Sequence, residues 1–405
     1  MARDRRRGCE KQKDPGRSLS RAVSIFYISA FCLLFLRDCQ WQALALAVAV
    51  PLAGAFTTGF LPRLCALGLL VLYDTNPTYA YHQSIYYFVG LAAMVVCIYL
   101  IRVGRSFRLL VWPMMLLSLV LLVLPLFIGK ETYGAKNWFY VGGISVQPSE
   151  IVKLTLIIVI SRFMADRRLI PWLGFSVACL GVLMLQADLG TALLYYGVAL
   201  MLYFASSGNP VLMLCGIGGG VGAALLGYQK FAHVKKRVAI WLDPWSDYGN
   251  AGYQLIQSLM AIASGGVLGV GLGLGSPTTI PVYHTDFIFS VICEQFGMLF
   301  GSCVLLMYVA IIWRGTSIAM AARTRFHGLL AMGCTAMLGL QTFIIIGGGI
   351  KLIPLTGVTM PFVSYGGTSL VACLCLIGLI QGVSSVNEDD LARDADLADY
   401  GGGAA

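Results

Sequence analysis

Leu109–Ile128 reads LLVWPMMLLSLVLLVLPLFI, twenty residues without one charged side chain. Wound as a helix at about 1.5 Å per residue, it is about 30 Å long, the thickness of a bilayer's hydrocarbon core. Working outward from it, comparable apolar runs recur along the chain. They lie at 19–36, 41–57, 61–75, 85–103, 107–128, 149–165, 169–186, 188–206, 210–228, 286–313, 326–350 and 365–384. The composition agrees: 58% of the 405 residues are hydrophobic and 12% are charged, about half the charge that a water-facing surface carries. Mean hydropathy is +0.80. The solvent for most of this chain is lipid, and the expected fold is an all-α polytopic membrane protein.

The formal net charge of +9 could point to nucleic acid, but the placement of the charges argues otherwise. Eight of the 28 Lys and Arg residues fall in the first 21 positions. Others sit in short connectors, at Arg102, Arg105 and Arg108, at Arg162, Arg167 and Arg168, and at Arg314, Arg323 and Arg325. Basic connectors between spans mark the cytoplasmic side, so both termini are expected there, with some attraction to anionic membrane lipids. No nucleic-acid partner is expected. No cleavable signal peptide is expected either, because the basic start lacks a short apolar core ending at a small-residue cleavage site. The 12 cysteines include no CxxC pair and no cluster with histidine; most lie in apolar runs, where free cysteine behaves as a small hydrophobe.

The chain divides into a basic cytoplasmic tail (1–18), an N-terminal transmembrane hairpin (19–60), a transmembrane core (61–385) and an acidic, disordered cytoplasmic tail (386–405). Two outer segments are too long for simple turns: Gly129–Pro148 and a long outer loop between residues 229 and 285. Within the second, Gln254–Gly271 is apolar enough to lie on or re-enter the membrane. Its glycine run, Ser264–Gly275, lacks the preceding strand and the spacing of a nucleotide loop. It reads as close packing or a flexible re-entrant element, and no nucleotide cofactor is expected.

Ionisable groups in or beside apolar runs are costly and are functional candidates by default. Glu150 and Lys153 share a helix face at i,i+3; they either neutralise one another or present a charge to a polar cavity. Asp188 stands before an apolar run and reads first as an N-cap. Asp286, in His284-Thr285-Asp286-Phe287-Ile288-Phe289, sits where the long outer loop meets a strongly apolar helix. There it is an N-cap, or a partly desolvated carboxylate of raised pKa suited to general-base work on a sugar hydroxyl. Glu294 lies about 12 Å further along that helix and is no immediate partner. Lys230, Lys235, Lys236 and Arg237 form the outer cationic cluster; they meet lipid headgroups or a diphosphate-bearing lipid. Lys136, beside Trp138, adds to the same field.

Together these segments resemble the SEDS family (shape, elongation, division and sporulation). The resemblance rests on Gly134-Ala135-Lys136-Asn137-Trp138 with Gln147-Pro148-Ser149-Glu150 and Lys153, and on Asp188-Leu189-Gly190-Thr191-Ala192. It continues in Tyr253-Gln254 with Ser258 and Gly265-Gly266, and in His284–Phe289 with Glu294. The last block runs from Pro354-Leu355-Thr356-Gly357 through Pro361-Phe362-Val363-Ser364-Tyr365-Gly366-Gly367. The blocks keep the family's order from about residue 85 to 385.

The resemblance implies a ten-span helical bundle, here with two extra N-terminal spans, in the bacterial cytoplasmic membrane. It implies a glycosyltransferase that polymerises lipid II into glycan strands on the outer face, releasing undecaprenyl diphosphate, beside a class B penicillin-binding protein that cross-links the peptides. Asp286 matches the family's essential carboxylate, taking the proton or holding a divalent ion (Mg or Mn) at the diphosphate. Lys153, Glu150, Trp138, Lys136, Lys235, Lys236, Arg237, Asp188, His284 and Ser364 are the expected substrate contacts. Inversion at the anomeric carbon is the simplest expectation. The chain departs from the family at Asn137 (usually Arg), Ala187 (Pro), Gln295 (Glu), Ile345 (Asn) and Lys351 (Gly). Two other functions compete: a flippase for the lipid-linked precursor, which needs polar contacts along its whole route, and a non-catalytic scaffold for the transpeptidase. Elongation, division and sporulation share these signatures.

Overall fold

The computed structural model describes residues 61–104, 107–132, 135–141, 144–249 and 252–401. The expected basic tail and N-terminal hairpin lie outside those residues. The chain begins with α1 (Leu61–Thr75) and α2 (Pro77–Gly104), separated by Asn76 alone, then α3 (Val111–Ile128). Three short strands follow, β1 (Lys130–Thr132), β2 (Ala135–Val141) and β3 (Ile144–Val146). Next come α4 (Pro148–Ala165), α5 (Leu169–Leu185), α6 (Leu189–Ser207) and α7 (Pro210–Lys230). The long loop holds α8 (Ala232–Leu242) and α9 (Tyr253–Gly265), and α10 (Ile288–Met320), α11 (Arg325–Gly349) and α12 (Gly367–Gly401) close the chain.

Seven helices among the described residues are long and apolar enough to cross a membrane: α2, α3, α6, α7, α10, α11 and the Gly367–Leu391 part of α12. α1 and α5 are shorter, and α4 carries Glu150, Lys153 and Arg162. The helices start where local chemistry supplies partners for free amides. Asp188 accepts from Thr191 N at the head of α6, Asn209 from Val211 N ahead of Pro210 in α7, and Thr324 from His327 N in α11. Pro148 opens α4, where a missing N–H is harmless.

Lipid tails are as apolar as leucine, so packing here comes from close approach rather than from expulsion of water. At the α2–α12 seam a Cβ on Gly378 would lie 2.6 Å from the Met94 carbonyl oxygen, so only glycine lets the two backbones meet. α1 is apolar apart from Arg63 and Asp74 and is buried on nearly every side. α7 buries little besides Gly227 and faces outward.

Three findings depart from the sequence reading. The Gly129–Pro148 segment adds a small antiparallel sheet, order β1-β2-β3, with Phe139 opposite Val146 and Val141 opposite Ile144. α10 is broken at Gly297 (φ 85°, ψ 167°), and the glycine run docks into the break. Val270 N donates to Glu294 O (2.9 Å), Gly271 N to Gln295 O (3.0 Å) and Met298 N to Gly266 O (2.9 Å). Most of the expected Gln254–Gly271 stretch is α9, and only the glycines after it are irregular backbone, satisfied by the interrupted helix. Finally, where a disordered acidic tail is expected, α12 continues to Gly401. Arg102 and Arg323 hold this extension through Asp389 (2.8 Å) and Asp394 (2.5 Å), giving a charged segment tertiary partners that its composition does not reveal.

Candidate active site

Asp286 stands at the mouth of the bundle, one residue before Phe287. Phe287 is the N-cap residue of α10 and makes no side-chain cap bond. Desolvation pushes that carboxyl up to about 6, although the Thr285 hydroxyl and the Arg237 guanidinium pull it down. Gly357 lies against it: an ideal Cβ there would be 3.7 Å from Asp286 Oδ2, and its φ of +75° suits glycine.

Arg237 comes from α8. Its Nη1 donates to the carbonyls of Leu355 (3.4 Å) and Thr356 (3.2 Å), while Trp241, one turn on, donates from Nε1 to Lys351 O (3.0 Å). The cationic cluster therefore divides. Arg237 is turned inward onto the loop between α11 and α12, whereas Lys230, Lys235 and Lys236 are exposed. Consecutive helical residues point about 100° apart, so adjacent cations cannot all face one site.

The loop at 350–366 is the hub. Ser364 is buried; its Oγ donates to Thr285 O (2.5 Å) and accepts from Met360 N (2.9 Å). It braces the segment carrying Asp286. Tyr365 N donates to His284 O (2.8 Å). Gln83 of α2 closes the same brace, donating to Ser364 O (2.9 Å) and accepting from Gly366 N (3.2 Å).

Lys153 is enclosed among helices at 3% exposure and paired with Glu150. It also donates to Gln341 Oε1 (3.2 Å) and lies 3.6 Å from Cys373 Sγ. Gln341 in turn donates to Thr359 O (2.9 Å), and the Thr359 hydroxyl meets that of Ser369 at 2.7 Å. The Glu150–Lys153 pair is thus joined through Gln341 to the loop that braces Asp286. A buried charge needs such company.

Asp188 performs the expected cap and more: its Oδ2 accepts from Asn137 Nδ2 (2.8 Å) and Gln147 Nε2 (3.3 Å). Asn137, the departure from Arg, keeps a bond to this carboxylate without supplying a cation. Trp138 is half-buried in β2 opposite Lys130; Lys136 lies in β2, and its side chain is outside the described residues. Glu294 is also structural, since its Oε1 accepts from Ser276 N (3.1 Å) and holds the glycine run. Tyr79, Gln83, Trp241, Gln341 and Thr359 escaped the sequence reading. For Gln83 and Gln341 a signal existed, because an amide inside an apolar run must find partners.

No three His, Cys, Asp or Glu side chains gather to hold an ion among the described residues. The residues at Asp286 fit a divalent ion only as a bridge from one carboxylate to oxygens supplied by a substrate, an arrangement Mg²⁺ commonly adopts with phosphates.

A model of the cell cycle protein family of FtsW, RodA and SpoVE matches residues 55–389. Peptidoglycan glycosyltransferase RodA of Mycobacterium tuberculosis is 34% identical over 328 residues, 75% of this chain and 70% of that protein. Stage V sporulation protein E of Bacillus subtilis is 34% identical over 288 residues, 67% of this chain and 78% of that one. Among solved structures, a chain of a peptidoglycan synthase complex, described for its coordination of polymerization and crosslinking, is similar with a TM-score of 0.70. It is 29% identical and covers 81% of this chain and 96% of its own.

Proposed function

The chain belongs to the FtsW, RodA and SpoVE family, and we propose that it is a peptidoglycan glycosyltransferase in which Asp286 takes the proton. It is a multi-pass protein of the bacterial cell membrane, with its termini in the cytoplasm and Asp286 on the outer side. The substrate is lipid II, whose disaccharide units it joins into glycan strands.

In each cycle a sugar 4-hydroxyl oxygen bonds to the anomeric carbon of a lipid-linked donor. The bond from that carbon to the diphosphate oxygen breaks, and undecaprenyl diphosphate leaves with the electron pair. Asp286 receives the hydroxyl proton. Displacement from the opposite side inverts the anomeric centre.

The observation that carries this reading is the setting of Asp286. A carboxyl pushed up to about 6 is ionised at neutral pH yet holds a proton better than an ordinary carboxylate. Arg237, held on two carbonyls, keeps a positive charge beside it for the diphosphate, with Lys235 and Lys236 adding an exposed cationic field. Asp286 is the residue that would hold a divalent ion, which would supply positive charge for the leaving group. Lys153 and Glu150 act through the braced loop and set its position. The polymerising protein works beside a class B penicillin-binding protein, a reading supported by the solved relative's place in a synthase complex.

The test is polymerisation of labelled lipid II by purified protein, with the transpeptidase partner and Mg²⁺ or Mn²⁺, products being resolved by size. Polymer from wild type and none from Asp286→Ala is expected. Polymer from both would move the base elsewhere, and none from wild type would favour the flippase or the scaffold.

A further inference from the structure

Beside Asp286 aromatic rings from three separate elements converge. Tyr79, in the first turn of α2, lies 4.7 Å from the His284 ring and 4.8 Å from the Tyr365 ring, centroid to centroid; His284 and Tyr365 are 5.8 Å apart. All three residues are only partly buried. The group is rigidly mounted, because Tyr365 N donates to His284 O and Gln83, one turn after Tyr79, braces both sides of Tyr365. His284 Nδ1 is buried and has no hydrogen-bond partner among the described residues.

Partly exposed aromatic rings gathered from three elements suit an amphipathic ligand, with an apolar face and polar edges. A hexopyranose with equatorial substituents is such a ligand: its axial C–H bonds make a flat apolar face and its hydroxyls and N-acetyl group ring the edge. We propose that Tyr79, His284 and Tyr365 form the seat of the acceptor sugar, packing its face so that its free hydroxyl is delivered to Asp286. Arg237 approaches the carboxylate from α8 and serves the diphosphate-bearing donor, whereas the rings approach from α2 and from the loop after α11. His284 is two residues from Asp286 in the chain, so a sugar on this seat is within reach of the carboxylate. Tyr79 is a specificity-determining residue that no motif around Asp286 contains. The inference rests on Asp286 being the proton acceptor of a glycosyl transfer.

The experiment compares wild type, Tyr79→Phe, Tyr79→Leu and Asp286→Asn in two measurements. The first is saturation-transfer NMR with N,N′-diacetylchitobiose, a soluble disaccharide that needs no turnover. The second is the initial rate against lipid II concentration across pH. Expected are sugar contacts in wild type and Tyr79→Phe, lost in Tyr79→Leu and kept in Asp286→Asn. In turnover, Tyr79→Leu raises KM roughly fivefold to tenfold with kcat within about twofold and an unshifted pH profile, at an unchanged melting temperature. Equal sugar contacts in wild type and Tyr79→Leu, or an unchanged KM, would overturn the seat while leaving polymerisation by Asp286 intact. Sugar binding that depends on Tyr79 in a protein that makes no polymer would instead retain the seat and overturn the proposed reaction.

Discussion

Gln295 Nε2 donates to Asp74 Oδ2 across 2.7 Å, tying the first half of α10 to the end of α1. Gln295 is 1% exposed. Where the family resemblance leads one to expect glutamate, this chain has an amide that serves a carboxylate already present on the facing helix.

Replacing Gln295 with Glu should therefore place two carboxylates in contact at a buried site. We expect Gln295→Glu to destabilise the protein by about 2 kcal/mol, read as a lower melting temperature in detergent. Adding Asp74→Asn should restore most of the loss, since Asn can donate to the new carboxylate. A double variant no more stable than Gln295→Glu would sever the two positions.

The setting of Asp286 predicts two pH effects of defined sign. Its carboxyl is raised from an ordinary 3.8 to about 6, so the proton acceptor is lost as pH falls through about 6 and polymerisation should fall about tenfold per unit below that. For stability, the folded protein binds the proton more tightly than the unfolded chain. The favourable contribution is complete below about 3.8 and is lost as pH rises through about 6. Asp286→Asn should accordingly raise the melting temperature at pH 7 to 8 and have little effect near pH 4, while abolishing polymer.

Arg237 joins two functions that substitutions can separate. Arg237→Gln removes the cation that holds the Asp286 carboxyl down, so the acid limb of the pH–rate profile should move to higher pH. Arg237→Lys keeps the charge but cannot reproduce the planar reach to both Leu355 and Thr356 carbonyls. Its acid limb should stay in place while kcat falls. Identical profiles for the two variants would show that charge at 237 does not reach Asp286.

Two departures from the family pattern have opposite backbone consequences. Lys351 has φ 63°, a conformation that suits glycine, and Lys351→Gly should stabilise by about 1 kcal/mol. Ala187 has φ 59°, which proline, held near −65°, cannot adopt. Its N–H also donates to Met184 O at 3.2 Å. Ala187→Pro should therefore lower the melting temperature, and Ala187→Gly should raise it.

Among the described residues, the apolar runs that form the long helices were legible in the sequence. Twenty uncharged residues at Leu109–Ile128 have few stable alternatives to a membrane helix, and caps such as Asp188 act on amides two or three residues away. The blocks from Gly134 to Gly367 likewise carried the family and the candidacy of Asp286, because motif chemistry is local. What a polar side chain touches across the bundle was not legible. Arg237 and Lys236 are neighbours in the chain, yet one clamps the loop after α11 and the other faces outward. Ser364 belongs to a motif but braces Thr285, and Lys153 meets Gln341, 188 positions away. Tyr79 comes beside His284 only because α2 begins at the same end of the bundle. Local sequence sets the energy of each residue's solvent and its nearest turn. Partners, burial and hence the shifted carboxyl of Asp286 depend on contacts between distant segments, which exist only once the helices have packed.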